Sequence, residues 1–320
     1  MNKTLSIILL SYKSGERLRA VRDKLDVVLS AARVPYELII VDDGSADGSF
    51  GIAAKLAAAY PNVFSYELSK NYTSHYAIFA GLSVCTGQCA MFIADDEQQP
   101  YEMIVEMYNQ WLTNGSKIIF SYRKERDDPW LTQQFAHAFY RIVNVVSDFK
   151  IPAKGLDFYL IDREVVDILN TRIHATNTTT FTELLRLGFS PVYLPYVRGK
   201  SSRAKSRWTF AKKLRLAKDW IISTSSFPIT VISYTGIAAS LISLGLILFY
   251  IYVRLFGDNE YWKIDVRGWL STVILINFFS GLILLSLGII AEYIYRIYEE
   301  VKARPGYIIK QRNGKSPERE

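Results

Sequence analysis

The sequence predicts an α/β protein with a mostly parallel sheet, followed by an interfacial helix and two transmembrane helices. Three observations predict it. Short apolar runs alternate with helix-length stretches through the first 120 residues, the pattern of strands joined by crossover helices. Two later stretches carry no charge, Phe227–Val253 over 27 residues and Gly268–Ala291 over 24. At about 1.5 Å per residue, either can cross a hydrocarbon core of roughly 30 Å. The third observation is that basic residues crowd the outer flanks of these stretches and not the loop between them.

Taken in order, the runs Leu5–Leu10, Tyr36–Val41, Val63–Leu68, Ala90–Ala94 and Lys117–Ser121 suit buried strands. The stretches Glu16–Ala32, Gly48–Ala59, Ser74–Val84 and Tyr101–Leu112 suit helices, and Trp130–Val146 looks helical beyond them. The first apolar run spans six residues, too short for a signal-peptide core, so the segment before the spans is expected to stay on the synthesis side. Two cysteines, Cys85 and Cys89, are too few for a disulfide framework or a four-cysteine zinc site. His75, His137 and His174 show no metal spacing.

The domain boundaries follow from these shifts in composition. A soluble domain is expected over 1–200, an amphipathic interfacial helix over 201–226, and a membrane hairpin over 227–295 with spans at about 228–253 and 269–294. A basic tail is expected over 296–320. Arg198–Lys218 holds nine Lys/Arg and no acid, whereas Arg254–Arg267 has three basic and three acidic residues. The positive-inside rule then puts both termini in the cytoplasm and the short loop outside. The net charge of +7 comes largely from these flanks. Because the basic stretch abuts a span, anionic membrane lipid and not nucleic acid is its expected partner. Gly236 with Ser240, and Ser243 with Gly281 or Gly288, would permit close span packing within a chain or in a homo-oligomer.

Ligands of open α/β sheets bind beyond the carboxyl ends of strands. Two acidic clusters fall there, Asp42-Asp43-Gly44-Ser45 and Asp95-Asp96-Glu97. The loop after the first strand reads SYKSGERL and carries no glycine-rich phosphate motif. Carboxylates repel a diphosphate unless a hard divalent cation bridges them, and a second carboxylate cluster can accept hydrogen bonds from a nucleobase or ribose. This pattern suggests a nucleoside-diphosphate ligand with Mg²⁺ or Mn²⁺. Helix capping by Asp43, Ser45 and Asp47 is the competing structural role for the first cluster.

With these pieces in order, SIILLSY, ELIIVDDGSADGS, LSKNY with AGL, ADDEQQPYE, SYRKERDDP, FYRIVN, GLDFYLIDREVVDIL and LPYVR followed by AKSRWTF, the chain resembles a family-2 glycosyltransferase. The resemblance is closest to the polyprenyl-phosphate glycosyltransferases, the dolichyl-phosphate mannose synthase-like group with a C-terminal membrane hairpin. It runs from about Leu5 to Gly306. It implies a Rossmann-like GT-A fold for the cytoplasmic catalytic domain at 1–200, and residence as a multi-pass protein of the inner (cytoplasmic) membrane. The implied reaction is inverting transfer of a single sugar from a nucleotide-sugar, by default a UDP-hexose, to polyprenyl (undecaprenyl) phosphate for cell-envelope glycan modification.

The resemblance also implies roles. Asp42, Asp43, Asn71 and Asp95 fall at donor-nucleotide positions, and Asp96 and Gln98 match metal ligands for Mg²⁺ or Mn²⁺. Ala94 stands where the family has the first Asp of its metal motif, and whether Asp95 replaces that Asp is open. Arg123 and Arg141 match phosphate-recognising positions, Ser206 and Arg207 match the pair holding the lipid phosphate, and Asp157 matches the proposed catalytic base. Further departures are Leu10-Ser11-Tyr12-Lys13-Ser14 for Pro-x-Tyr-Asn-Glu, Thr73-Ser74 for Gly-Lys, and Tyr159 for an Arg. Two other readings compete. One is a processive polysaccharide synthase, against which stand the missing Gln before Arg207-Trp208 and the small number of spans. The other is a non-catalytic membrane scaffold, which Ala94 motivates.

Overall fold

The structure, a computed structural model, describes residues 3–124, 141, 144, 152, 155–176, 178–197, 227–256, 269–302 and 304–314. The chain divides into two compact units. Met1–Ala217 and Arg304–Glu320 form the first, and Lys218–Ala303 form the second.

The first unit is built on one eight-stranded sheet. Its strands are β1 (Leu5–Ser11), β2 (Tyr36–Asp42), β3 (Val63–Leu68), β4 (Cys89–Ala94), β5 (Ile118–Arg123), β6 (Phe158–Asp162), β7 (Val192–Tyr196) and β8 (Ile309–Asn313). Their spatial order is β7-β5-β6-β4-β1-β2-β3-β8. The pairs β1/β2, β1/β4, β2/β3 and β5/β7 are parallel, while β6 and β8 run antiparallel to their neighbours. The expected mostly parallel α/β sheet is therefore present. Because β6 is reversed on both sides, β4, β5 and β7 still point the same way, and one edge of the sheet carries every parallel strand's carboxyl end.

Sequence explains the central strands directly. Leu5, Ile7, Ile8 and Leu9 of β1 are fully buried, as a strand covered on both faces requires. Helix α1 (Arg17–Ala31) buries Leu18, Val21, Leu25 and Leu29, a stripe at helical spacing. Helices α2 (Ser49–Ala59) and α3 (Ser74–Val84) follow β2 and β3. Helix α4 (Tyr101–Asn114) buries Met103, Ile104, Met107, Tyr108 and Trp111. It ends at Gly115, whose φ of 63° supplies the left-handed cap and whose N–H donates to Trp111 O at 3.0 Å. Each such buried aliphatic or aromatic side chain contributes about 1.5–3 kcal/mol. Cys85 and Cys89 are free and buried.

Polar anchors fix the far edge of the sheet. Buried Glu37 accepts from Ser6 Oγ at 2.5 Å, Thr86 N at 2.6 Å, Thr86 Oγ1 at 2.7 Å and Gly87 N at 3.1 Å. Helix α5 (Arg163–Arg172) starts at Asp162, which accepts from Glu164 N at 3.1 Å, Trp111 Nε1 at 2.8 Å and Lys117 Nζ at 2.9 Å. Burial pushes the Asp162 carboxyl upward, but the Lys117, Trp111 and backbone hydrogen bonds outweigh it and hold it below the ordinary value. A depressed folded value stabilises above the unfolded pKa of about 3.9 and is lost as pH falls through the folded value. Asp162→Ala is therefore expected to cost about 1–3 kcal/mol at pH 7. The gap from wild type should shrink below pH 4 in thermal unfolding of the full chain; a gap independent of pH would remove the charge from the account.

The C-terminal stretch read from sequence as a basic tail contains β8, which pairs with β3 from Ser65↔Asn313 to Leu68↔Ile309. Ser69 N donates to Ile308 O at 2.9 Å, Lys310 pairs with Glu67 at 3.1 Å, and Tyr307 OH donates to Phe79 O at 3.4 Å. With one apolar residue in five, β8 has no strand signature of its own; the open edge of β3 supplies its partners. Helix α6 (Thr180–Arg186) completes the first unit's described helices.

The second unit contains α7 (Phe227–Phe256), of 30 residues, and α8 (Trp269–Val301), of 33. Among the described residues one stretch, Phe278–Val301, is long and apolar enough to cross a membrane by length and composition. The expectation of two such spans is thus met once by this measure. The expected interfacial helix at 201–226 lies outside the described residues, as does most of Trp130–Val146.

Candidate functional site

The register places the candidate residues. Ser11 at the end of β1 lies beside Asp42 at the end of β2, and Leu10 lies beside Ala94 at the end of β4. The loops after β1, β2, β3 and β4 therefore meet at one sheet edge.

Asp42 is fully buried. It accepts from Ser11 Oγ at 2.9 Å and from Ser45 Oγ and N at 2.8 and 2.9 Å. Asp43 is 4% exposed and accepts from Tyr72 N at 2.6 Å and Thr73 N at 2.9 Å. Burial raises both carboxyls despite these bonds, and each helix-loop donor pulls the other way. Their first task is thus internal: Asp42 shapes its own turn, and Asp43 ties β2 to the loop that follows β3. Between them and that loop Gly44 is tightly placed, with φ of 63° and a Cβ position 2.4 Å from the Lys70 carbonyl carbon. Thr73 holds a positive φ of 82°, a conformation that L residues adopt only when surroundings impose it. Asn71, in the same loop, is exposed.

Helix α1 faces the second acidic cluster. Arg17 donates to Asp95 Oδ2 from Nη2 at 2.9 Å and from Nε at 3.3 Å, and Nη2 also reaches Lys13 O at 2.7 Å. Seven residues on, Lys24 pairs with Glu97. Two cations on one face of α1 thus pin two of the three carboxylates of the loop. Asp95 is 2% exposed. The carboxylate that follows Ala94 in sequence is thus paired with a neighbouring helix.

Asp96 accepts from Gln98 N at 3.4 Å in the same loop. The Gln98 amide oxygen is buried without a hydrogen-bond partner. An orphaned hard oxygen beside a carboxylate fits Mg²⁺ or Mn²⁺, which protein sites of this kind hold through one or two carboxylates, with substrate phosphates and water completing the shell. No group of three His, Cys, Asp or Glu suited to a metal occurs among the described residues.

The third group sits where β5, β6 and β7 meet. Arg123 ends β5, Tyr196 ends β7, and the two are in register. Asp157 immediately precedes β6, its N–H donating to Ser121 O at 3.0 Å. Arg123 grips Asp157 with Nε at 3.0 Å and Nη2 at 2.9 Å, and Tyr196 OH donates to the same carboxylate. Burial disfavours the Arg123 charge, but Asp157 outweighs it and raises the guanidinium well above its ordinary value. Burial and Asp157 likewise push the Tyr196 phenol up, so it remains a donor at any working pH. On the sheet, β5 lies two strands from β4, a separation of about 10 Å between strand axes.

The structure thus gathers Asp42, Asp43, Asp95, Asp96, Gln98, Arg123 and Asp157 on one edge of the first unit. Arg141 is helical and exposed, and no described contact joins it to the cluster. Ser206 and Arg207 lie outside the described residues. Sequence reasoning missed Arg17, Lys24 and Tyr196. The seven-residue spacing of Arg17 and Lys24 was visible, but their partners lie more than 70 residues away.

Comparison with known proteins followed the same lines. A family model described as glycosyl transferase family 2 matches residues 6–169. An uncharacterized glycosyltransferase of Bacillus subtilis is 32% identical over 310 residues, covering 97% of this chain and 94% of its own. A prophage-derived bactoprenol glucosyl transferase of Shigella flexneri is 32% identical over 287 residues, covering 88% and 90%. A prophage bactoprenol glucosyl transferase homolog of Escherichia coli is 30% identical over 278 residues, covering 86% and 88%.

Proposed function

The chain belongs to glycosyl transferase family 2, and on that premise we propose that it moves one sugar from a nucleotide-sugar to a polyprenyl phosphate at the cytoplasmic face of a membrane. The observation that carries this reading is the shared sheet edge, with Asp96 and Gln98 as oxygen donors and Arg123 as a held cation two strands away. The bactoprenol glucosyl transferases at 32% identity support a polyprenyl acceptor and a glucosyl donor.

The chemistry asked of the protein is alignment. A phosphate monoester has a second pKa of about 6 and is already anionic at neutral pH. One of its oxygens attacks the anomeric carbon, the bond to the diphosphate breaks, and nucleoside diphosphate departs with the electron pair. Direct displacement inverts the anomeric centre. When bound through Asp96 and Gln98, Mg²⁺ or Mn²⁺ would neutralise charge on that leaving group. Arg123 holds the acceptor phosphate in line. Asp157, spent on a bidentate pair with Arg123, orients that guanidinium; the acceptor needs no base to ionise it.

Topology supports a two-span hairpin. The chain leaves the first unit at Ala217 and re-enters it at Arg304. A compact unit lies on one face of a bilayer, so crossings between those points come in an even number. Phe278–Val301 accounts for one and the uncharged length of α7 for the other. Lys/Arg enrichment on the outer flanks supports a cytoplasmic first unit.

The test is a release assay on the full chain in lipid nanodiscs with Mg²⁺ or Mn²⁺ and a panel of nucleotide-sugars. Nucleoside diphosphate should appear only when polyprenyl phosphate is present, with one sugar per lipid. Equal release without lipid, or a growing glycan chain, would defeat the assignment. Ala94 and the Arg17–Asp95 pair favour one alternative, a scaffold without catalysis; it would show no metal-linked nucleotide binding.

A further inference from the structure

Tyr196 is the one member of the β5–β6–β7 cluster to which no role has attached. It is 4% exposed, its ring packs edge-on against Phe158 at 5.1 Å, and its hydroxyl donates to Asp157. Its neighbour in register is Arg123, and Lys124 N donates to Tyr196 O at 2.8 Å, so backbone and side chain are both fixed. After Val197 the chain enters the segment that leads to α7. Tyr196 therefore stands at the point where the catalytic sheet hands the chain toward the membrane.

The geometry around Arg123 gives this position its meaning. Nε and Nη2 are spent on the two oxygens of Asp157, and the Tyr196 hydroxyl lies beside the same guanidinium. A guanidinium is planar, so fixing one edge fixes the direction of the other. The edge is only as fixed as the carboxylate that holds it. Beside the two Arg123 bonds, a bond from a buried, rigid phenol ties the carboxylate to a different strand.

We propose that Tyr196 is a positioning residue of the acceptor site, locking Asp157 so that the other edge of Arg123 is held ready for the acceptor's phosphate. The proposal rests on the polyprenyl-phosphate reading above. It assigns to the phenol a role in acceptor capture and none in donor binding or in proton transfer.

The experiment compares wild type with Tyr196→Phe, which keeps the ring contact and removes only the hydroxyl, in nanodiscs with polyprenyl phosphate and nucleotide-sugar. The acceptor KM should rise about five- to tenfold while donor KM and melting temperature stay unchanged. A cycle with Arg123→Lys supplies the second readout. Lysine cannot make the fork, so adding Tyr196→Phe to Arg123→Lys should change acceptor KM less than twofold. An unchanged acceptor KM in Tyr196→Phe overturns the proposal. So does a parallel fall in every kinetic constant together with melting temperature, or an additive cycle, each of which marks the hydroxyl as structural. A wild type with no acceptor-dependent turnover overturns the polyprenyl reading itself, and this proposal with it.

Discussion

Asp96→Ala should abolish metal-linked nucleotide binding and lower kcat/KM by about 10²–10³, the range seen when one pre-organised contact to developing charge is lost. Among the loop's three carboxylates, Asp95 and Glu97 are held by Arg17 and Lys24. Asp96 is the carboxylate that the proposed function assigns to the cation, with the buried Gln98 amide oxygen beside it. Asp95→Asn should do far less, under tenfold, because its partner Arg17 is one-third exposed and can return to water. Calorimetric titration of nucleoside diphosphate with and without Mn²⁺ separates the two variants. Undiminished metal-linked affinity in Asp96→Ala would take that residue out of the site. A larger loss in Asp95→Asn than in Asp96→Ala would exchange their roles.

The second large effect belongs to Arg123. Arg123→Ala removes a bidentate cation and leaves Asp157, only 22% exposed, without its counter-charge. Truncating one partner of such a pair typically costs about 2–5 kcal/mol, or a factor of about 30 to several thousand in binding. The loss should fall on the acceptor, with KM for polyprenyl phosphate rising at least thirtyfold and the donor dissociation constant moving little. Steady-state kinetics with each substrate varied in turn measures this. An Arg123→Ala variant that loses donor and keeps acceptor would place the cation on the diphosphate instead. Asp157→Asn sharpens the point: an orienting residue retains much of its function as an amide, whereas a proton acceptor does not.

The first five strands and four helices were legible because each is a short apolar run or amphipathic stripe bounded by polar turns. What periodicity does not carry is who pairs with whom. FYLID at β6 reads as an apolar run, yet its insertion between β4 and β5, reversed, depends on contacts with residues some 40 to 70 positions earlier. IKQRN at β8 reads as solvent-exposed tail and becomes a strand only against β3. The acidic clusters were legible as strand-end features, but not the bonds each carboxylate makes. Asp42 and Asp43 spend bonds on their own loops, and Asp95 serves Arg17, because donors from elsewhere in the chain arrive at those oxygens. The partner of the carboxylate after Ala94 lies 78 residues away, beyond the reach of a local pattern.

The return of β8 to the sheet bears on any attempt to produce the first unit without the second. Cutting the polypeptide at residue 217 discards the second unit and strips the outer strand with it. The bared flank of β3 would then offer unpaired amides to a neighbouring copy, a route to aggregation. A water-soluble version calls for excision instead of truncation: residues 218–303 removed, and a flexible bridge joining 217 to 304 so that Ile309–Asn313 still closes the sheet.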